Sequence, residues 1–174
     1  MLLAEQRLSD PAWWKKLDEL LQEEIERTDG HPQAAAIPVL QFVQSELRYL
    51  PEEVVEYVAD ALGMTVAQIY GLASFYAFFS MEPRGLYMVD VCLGTACYVG
   101  GSPHILRRFC DLLDIAPGGT SADGLFTVRA VRCMGACSRA PVVMVNGRVH
   151  SRVKVTDVER IIRTYRKLAE ESAP

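Results

Sequence analysis

Four of the five cysteines fall into two tight pairs, Cys92-Leu-Gly-Thr-Ala-Cys97 and Cys133-Met-Gly-Ala-Cys137, with 35 residues between the pairs. Thiolates grouped in this way can hold an iron-sulfur cluster or zinc, and the same residues can close disulfides or stay free. Gaps of four and three residues are wide enough to wrap part of a cluster, whereas zinc more often takes a gap of two. Gly94 and Gly135 each sit two residues after the first cysteine of their pair, where a residue without Cβ lets backbone N–H groups approach sulfur. No His, Asp or Glu lies inside either loop, so a Rieske-type His pair has no candidate, and the spacing differs from plant-type and bacterial ferredoxin runs. Spacing therefore ranks a 2Fe-2S cluster first, structural zinc second, and disulfides or free thiols last.

Arg132, Arg139 and Arg129 flank the second pair. Positive charge beside an anionic cluster favours its reduced form, and the alternative is that these are ordinary solvated charges at a strand end. The fifth cysteine, Cys110, shares a helical face with Leu106 and Leu113 and reads as a buried, inert thiol. His104 reads as a surface residue in the first turn of a helix, and His31 and His150 carry no signal. Pro141 follows the second loop and opens a strand, and the ordinary preference of X–Pro bonds makes trans the expectation there.

The elements that position the cysteines read in two blocks. Asp10-Pro11 opens a helix with Trp13, Leu17, Leu20, Leu21 and Ile25 at helical spacing, and Asp29-Gly30-His31-Pro32 breaks it. Val39, Leu40, Val43 and Leu47 mark a second helix with Pro38 in its first turn. Val54, Val55, Val58 and Leu62 mark a third, closed at Gly63. Thr65-Val-Ala-Gln68 is a capping box for a fourth, over 66–74. The first 80 residues thus predict a helical bundle, and Glu82-Pro83-Arg84-Gly85 punctuates its end.

Beyond that point the period changes. Residues 86–91 predict a strand running into Cys92, and Ser102-Pro103 caps a helix with Ile105, Leu106, Phe109, Leu112 and Leu113 buried, closed by Pro117-Gly118-Gly119. Residues 126–132 alternate as a second strand, again delivering a cysteine at its end. Asn146-Gly147 predicts a type I′ hairpin, and Thr156-Asp-Val-Glu159 a capping box for a last helix with Val158, Ile161, Ile162, Tyr165 and Leu168 inward. Strand, helix, strand, hairpin and helix is the order of a small thioredoxin-like layer with a mixed sheet, so the fold class is α+β. If the two cysteine-bearing strands are parallel, both loops leave the same sheet edge. The expected domains are a helical domain over 1–80, a linker over 81–85 and a thioredoxin-like domain over 86–174.

Composition narrows the function classes. With 174 residues, half of them apolar, the chain can bury a core without disulfide staples. Its 18 basic and 22 acidic residues form no basic stripe for a phosphate backbone, so nucleic acid is not an expected partner. Residues 1–7 show no export signal. The uncharged stretch 61–81 is long enough for a membrane helix, but Gly63, Thr65, Gln68, Gly71 and Ser74 interrupt it, and no membrane insertion is expected. Paired cysteines in such a chain point to a reducing compartment, the cytoplasm. Tyr70, Phe75, Tyr76, Phe78 and Phe79 read mostly as core, with room for a partner-facing patch, and one of Trp13 and Trp14 is expected to face outward.

The loops Cys92-Leu-Gly-Thr-Ala-Cys97-Tyr98-Val99 and Cys133-Met-Gly-Ala-Cys137, with Ala140-Pro141-Val142 and Asn146 following, resemble the small thioredoxin-like 2Fe-2S subunit of NADH-oxidising modules. Leu50-Pro51, Ile69-Tyr70-Gly71, Ser74-Phe75-Tyr76 and Pro83-x-Gly85 extend the resemblance over nearly the whole chain. The resemblance implies one 2Fe-2S cluster on Cys92, Cys97, Cys133 and Cys137, two ligands to each iron. It implies electron exchange with a larger flavin- and NAD-binding iron-sulfur subunit, beside further iron-sulfur or hydrogenase and dehydrogenase subunits. The resemblance also implies that FMN and NAD(P)H lie in that partner, and this chain has neither a Gly-x-Gly-x-x-Gly turn nor a Walker loop. The Cys97-Tyr98-Val99 wording is closer to hydrogenase and formate dehydrogenase members than to complex I members. No stand-alone catalytic activity is expected. The alternatives are a free-standing thioredoxin-like ferredoxin and a zinc-stabilised interaction module.

Overall fold

A carboxylate and a proline start the first helix, α1 (Pro11–Arg27), where the Asp10 side chain accepts a hydrogen bond of 2.9 Å from the Ala12 N–H and Pro11 has no N–H to leave unpaired. The computed structural model describes residues 7–29 and 31–172. The export-signal reading of residues before Arg7 and the Gly30 part of the helix break lie outside them. A 3-10 turn (Pro32–Ala35) leads into α2 (Ala36–Leu47), followed by α3 (Glu52–Ala61) and α4 (Val66–Phe75). Gly63 takes φ +61 after α3, and the Thr65/Gln68 capping box is formed at α4. Leu17, Val39, Leu40, Val43, Val54, Val55, Val58, Leu62 and Ile69 are fully buried together, each burial contributing roughly 1.5–3 kcal/mol. Gln44, buried among them, accepts from the Ser80 N–H at 2.8 Å, while Leu50 N–H donates to Ser80 O at 2.8 Å. These bonds tie the end of the unit to α2 and to the turn that follows it.

The chain divides into two compact units between Pro83 and Arg84. In the second, β1 (Tyr87–Cys92) leads through a short helix α5 (Thr95–Val99) to α6 (Ser102–Leu113), β2 (Phe126–Val131), the hairpin β3 (Val142–Val145) and β4 (Arg148–Ser151), and α7 (Val158–Ser172). The sheet order is β2-β1-β3-β4, with β1 parallel to β2 and antiparallel to β3. In this register Val89, Val91, Phe126, Val128, Val143 and Val145 share one face and pack with Ile105, Phe109 and Leu113 of α6 and with Val158, Ile161, Ile162 and Tyr165 of α7. Asn146 (φ 45) and Gly147 (φ 84) make the expected turn. Asn146 also spans back to β1, accepting from Met88 N–H at 2.8 Å and donating to Leu86 O at 2.9 Å.

Several local expectations need correction. Gly101, left-handed at φ 95, caps α6 in place of Ser102, whose hydroxyl is buried inside the first turn. Asp114, left-handed, ends that helix before Pro117. Leu112 and Leu168 are exposed, each lying one step off its helix's inward stripe. Asp157, not Thr156, caps the last helix region by accepting from Lys154 N–H at 2.9 Å. Thr127 is buried and receives the Gly85 N–H at 2.6 Å, so β2 does not simply alternate. The Ala140–Pro141 bond is cis, against the trans expectation. Trp13 is buried and Trp14 half-buried, its indole N–H donating to Leu8 O at 2.8 Å and its ring edge-on to Tyr57, so neither tryptophan is the outward-facing one expected. The aromatic group divides differently from a core: only Phe79 is buried. Among the described residues no single helix is long and apolar enough to cross a membrane. Glu52–Ala61 and Val66–Phe75 reach that length and composition only together, bent by 114°.

Candidate metal centre

Parallel pairing of β1 with β2 sets Cys92 opposite Val131, so both cysteine loops emerge at one sheet edge, and Leu93 N–H binds Val131 O at 2.7 Å to hold them in step. The loops touch at Gly94. A Cβ there would sit 2.9 Å from Arg132 O, 3.5 Å from Cys133 Cβ and 3.6 Å from Cys92 Sγ. The need for glycine at this position is thus the contact between loops, beyond the approach of backbone to sulfur. Gly94 also caps α5, which carries Cys97 one turn later into a buried position. Gly100, which ends α5, packs on the Pro141 ring, where a Cβ would meet Cγ at 2.9 Å.

In the second loop Gly135 has φ +76, a conformation that costs an L side chain about 1–2 kcal/mol, and it points its N–H at Cys133 Sγ, 3.4 Å away. A 3-10 turn (Cys137–Arg139) then brings Cys137 Sγ to 3.9 Å from Cys133 Sγ. Cys92 and Cys97 are buried, whereas Cys133 and Cys137 are exposed, and all four line one open pocket of about 710 Å³ with Leu93, Gly94, Thr95, Ala96, Val99 and Arg132.

The donor chemistry fits a thiolate-held group. Burial opposes ionisation of Cys92, but N–H groups of Gly94 and Met134, together with the Cys97 thiol, outweigh it and hold this thiol below its ordinary range. Burial first, and then the neighbouring Cys92 sulfur, push Cys97 up despite the Val142 N–H. Hydrogen bonding and charge at Cys133 push Cys137 up. The first thiolate formed in each pair thus makes the second costlier, a conflict that a bound cation would relieve. No carboxylate or imidazole lines the pocket. A single zinc with four thiolates needs all sulfurs within about 3.8 Å of one another, from a Zn–S bond near 2.3 Å. Two pairs at one edge can give two thiolates to each of two irons, and Cys92, Cys97, Cys133 and Cys137 are the residues that could hold such a group.

The flanking arginines separate. Arg132 lines the pocket, and its carbonyl accepts from Cys92 Sγ at 3.2 Å. Arg139 is exposed and outside the pocket lining. Arg129 is turned to Asp90, its cross-strand neighbour, with bonds of 2.8 and 3.1 Å. Sequence reasoning missed Asp90, whose only signal is a lone charge in an apolar strand. Cys110 lies in the sheet-helix core, where burial raises its thiol. His104 and His31 are exposed, and His150 shares a hydrogen bond of 3.0 Å with Tyr165 OH, a contact its sequence gave no sign of.

Comparison with known proteins identifies relatives of this chain. A family model described as thioredoxin-like 2Fe-2S ferredoxin matches residues 21–166. The chain is 40% identical over 143 residues to the NADP-reducing hydrogenase subunit HndA of Solidesulfovibrio fructosivorans, covering 82% of this chain and 81% of that protein. It is 31% identical over 152 residues to an NADH-quinone oxidoreductase subunit of Pseudomonas aeruginosa, covering 86% of this chain and 92% of that protein. Among solved structures, a chain of an NAD+-reducing NiFe-hydrogenase in the air-oxidized state superposes with a TM-score of 0.63 at 22% identity, over 78% of this chain and 24% of that one. That likeness is one of fold, and this chain spans about a quarter of the hydrogenase chain's length.

Proposed function

We propose an electron-transfer role for this chain, which belongs to the thioredoxin-like 2Fe-2S ferredoxin family. In this reading it carries one 2Fe-2S cluster on Cys92, Cys97, Cys133 and Cys137 and exchanges electrons with the flavin of a larger NAD(P)H-linked subunit, in the cytoplasm. A hydrogenase or formate dehydrogenase type of complex is favoured over respiratory complex I. The longer reach of the likeness supports that preference: 40% identity holds over 143 residues with a hydrogenase subunit and over 113 with an NADH-quinone oxidoreductase subunit. When bound, the cluster supplies one-electron transfer, and hydride chemistry stays with the partner's cofactors. The helical domain of residues 1–80, the linker 81–85 and the cluster domain of residues 86–174 are proposed as separately folding parts.

The observation that carries the reading is the meeting of the two cysteine pairs at one sheet edge around Gly94. This chain's own residues then have distinct tasks. Cys92 and Cys97 anchor the buried side, while the exposed Cys133 and Cys137 form the side open to a redox partner. The N–H groups of Gly94, Met134, Val142 and Gly135 offset the negative charge gathered on sulfur. Leu93 and Val99 cover the pocket with apolar surface.

Anaerobic purification followed by iron, sulfide and zinc analysis, visible absorption and EPR of the reduced protein tests this reading. About two iron and two sulfide per chain are expected. A colourless, zinc-loaded protein would sink it.

A further inference from the structure

Outside the metal centre, the largest unexplained feature is a run of exposed aromatic side chains around the end of α4. Phe75 is 79% exposed, Phe78 54%, Tyr76 44% and Tyr70 37%, while Phe79 beneath them is buried. Phe75 stands edge-on to Tyr76 at 5.0 Å, and both Tyr76 and Phe78 stand edge-on to Phe79, so the group is braced from below. Residues 61–81 contain no charged side chain, so no charge within this stretch hydrates the patch. The exposed aromatics together present roughly 400 Å², taking about 200 Å² per side chain. That is large for a face left to water, yet about half of the ~800 Å² per partner that a stable specific interface buries. It suits the apolar centre of a wider contact with a polar rim.

Charge decides the occupant. Residues 1–83 hold 5 Lys and Arg against 14 Asp and Glu, a net charge of -9 on the unit that carries the patch. A second copy meeting this patch with its own would bring the same acidic field and be repelled, and an anionic lipid surface would be repelled likewise by the unit that carries the patch, which has few cations to bind it. We propose that Phe75, Tyr76, Phe78 and Tyr70 form the assembly contact for a protein subunit that offers an apolar socket ringed by Lys and Arg. The contact holds this chain in its complex independently of the metal centre. The inference rests on the proposed role as a subunit.

The test uses the complex isolated anaerobically through an affinity tag on this chain. Deuterium exchange of the free chain and of the complex should show protection of residues 70–79 on assembly, and unchanged exchange there overturns the proposal. Phe75→Asp with Phe78→Asp should weaken association at least about tenfold while leaving the iron content and visible spectrum of the chain as they were. Full retention in the complex overturns it. Ala77→Lys should weaken association and Ala77→Glu should not, and the reverse order removes the basic socket. If the double variant fails to fold, the exchange comparison on the unsubstituted chain still decides. Dimerisation of the free chain through residues 70–79, or binding of this patch to phosphatidylglycerol vesicles, in place of a protein partner, also overturns it. A zinc-loaded chain whose residues 70–79 are protected in a complex supports this contact while removing the electron-transfer role.

Discussion

Arg132 is the one arginine of the three flanking the second cysteine pair that the pocket keeps, since Arg129 is engaged by Asp90 and Arg139 stands outside the lining. A cation beside an anionic cluster stabilises the reduced state more than the oxidised one, so Arg132→Ala should lower the midpoint potential. The exposed position screens the effect to on the order of 30 mV, about a threefold change where ~59 mV is tenfold for one electron. Arg139→Ala should shift it less, and protein-film voltammetry of both variants ranks them. An unchanged potential in Arg132→Ala removes its tuning role. The glycines separate in the same way. Gly94→Ala drives a Cβ into Arg132 O and should cost cluster retention, read as iron per chain after gel filtration, whereas Gly135→Ala meets open space and carries only the strain of its positive φ. Equal iron loss in the two variants would count against loop contact as the reason for Gly94. Sequence marked both glycines for the same reason, because a close approach between two loops is a tertiary fact that no local pattern carries.

Register across the sheet turns lone residues into pairs. Asp90 and Arg129 face each other on parallel strands, Asp90 nearly buried and Arg129 about a third exposed. Removing the arginine leaves a buried carboxylate, and Arg129→Ala should destabilise by about 1–3 kcal/mol, the range reduced from that of a fully buried pair by Arg129's exposure. A double-mutant cycle with Asp90→Ala measures the coupling, and additivity of the two losses would deny it. His150 joins β4 to α7 in the same fashion. Burial first, and then Arg148 and Arg160, hold its imidazole below the ordinary range. The unfolded chain therefore binds more protons than the folded one once pH falls through about 6.5, so stability is full above that pH and declines below it. Urea titrations at several pH values should show this slope in the wild type and a flatter one in His150→Gln. The helices, the hairpin and the parallel pair of cysteine strands were legible because capping boxes, Asn146-Gly147 and apolar period are local signals. Gly101 and Asp114 as the ends of α6, and the exposure of Leu112, were not, because left-handed caps at those positions depend on how the helix docks on the sheet.

At the scale of the molecule, the two larger apolar cores are built from disjoint stretches of chain, and a small third cluster gathers Cys92, Cys97 and Val142. The helical core draws on residues 13–79 and the sheet core on residues 89–165, with all four paired cysteines on the second side of the Pro83–Arg84 division. The aromatic cluster of 70–79 belongs to the first, and sequence read it mostly as core because exposure cannot be told from a run of apolar residues. If each core sustains its own unit, damage to one should leave the other's properties intact. Leu40 is fully buried among α2 neighbours and far in sequence from any cysteine, so Leu40→Ala should destabilise the helical unit by about 2–5 kcal/mol through lost burial and the cavity left behind. Differential scanning calorimetry should then show the helical transition moved to lower temperature, while the loss of visible cluster absorption on heating keeps its wild-type midpoint. A common shift of both would mean that the two cores unfold as one cooperative body, and the cluster domain could not be expected to survive alone.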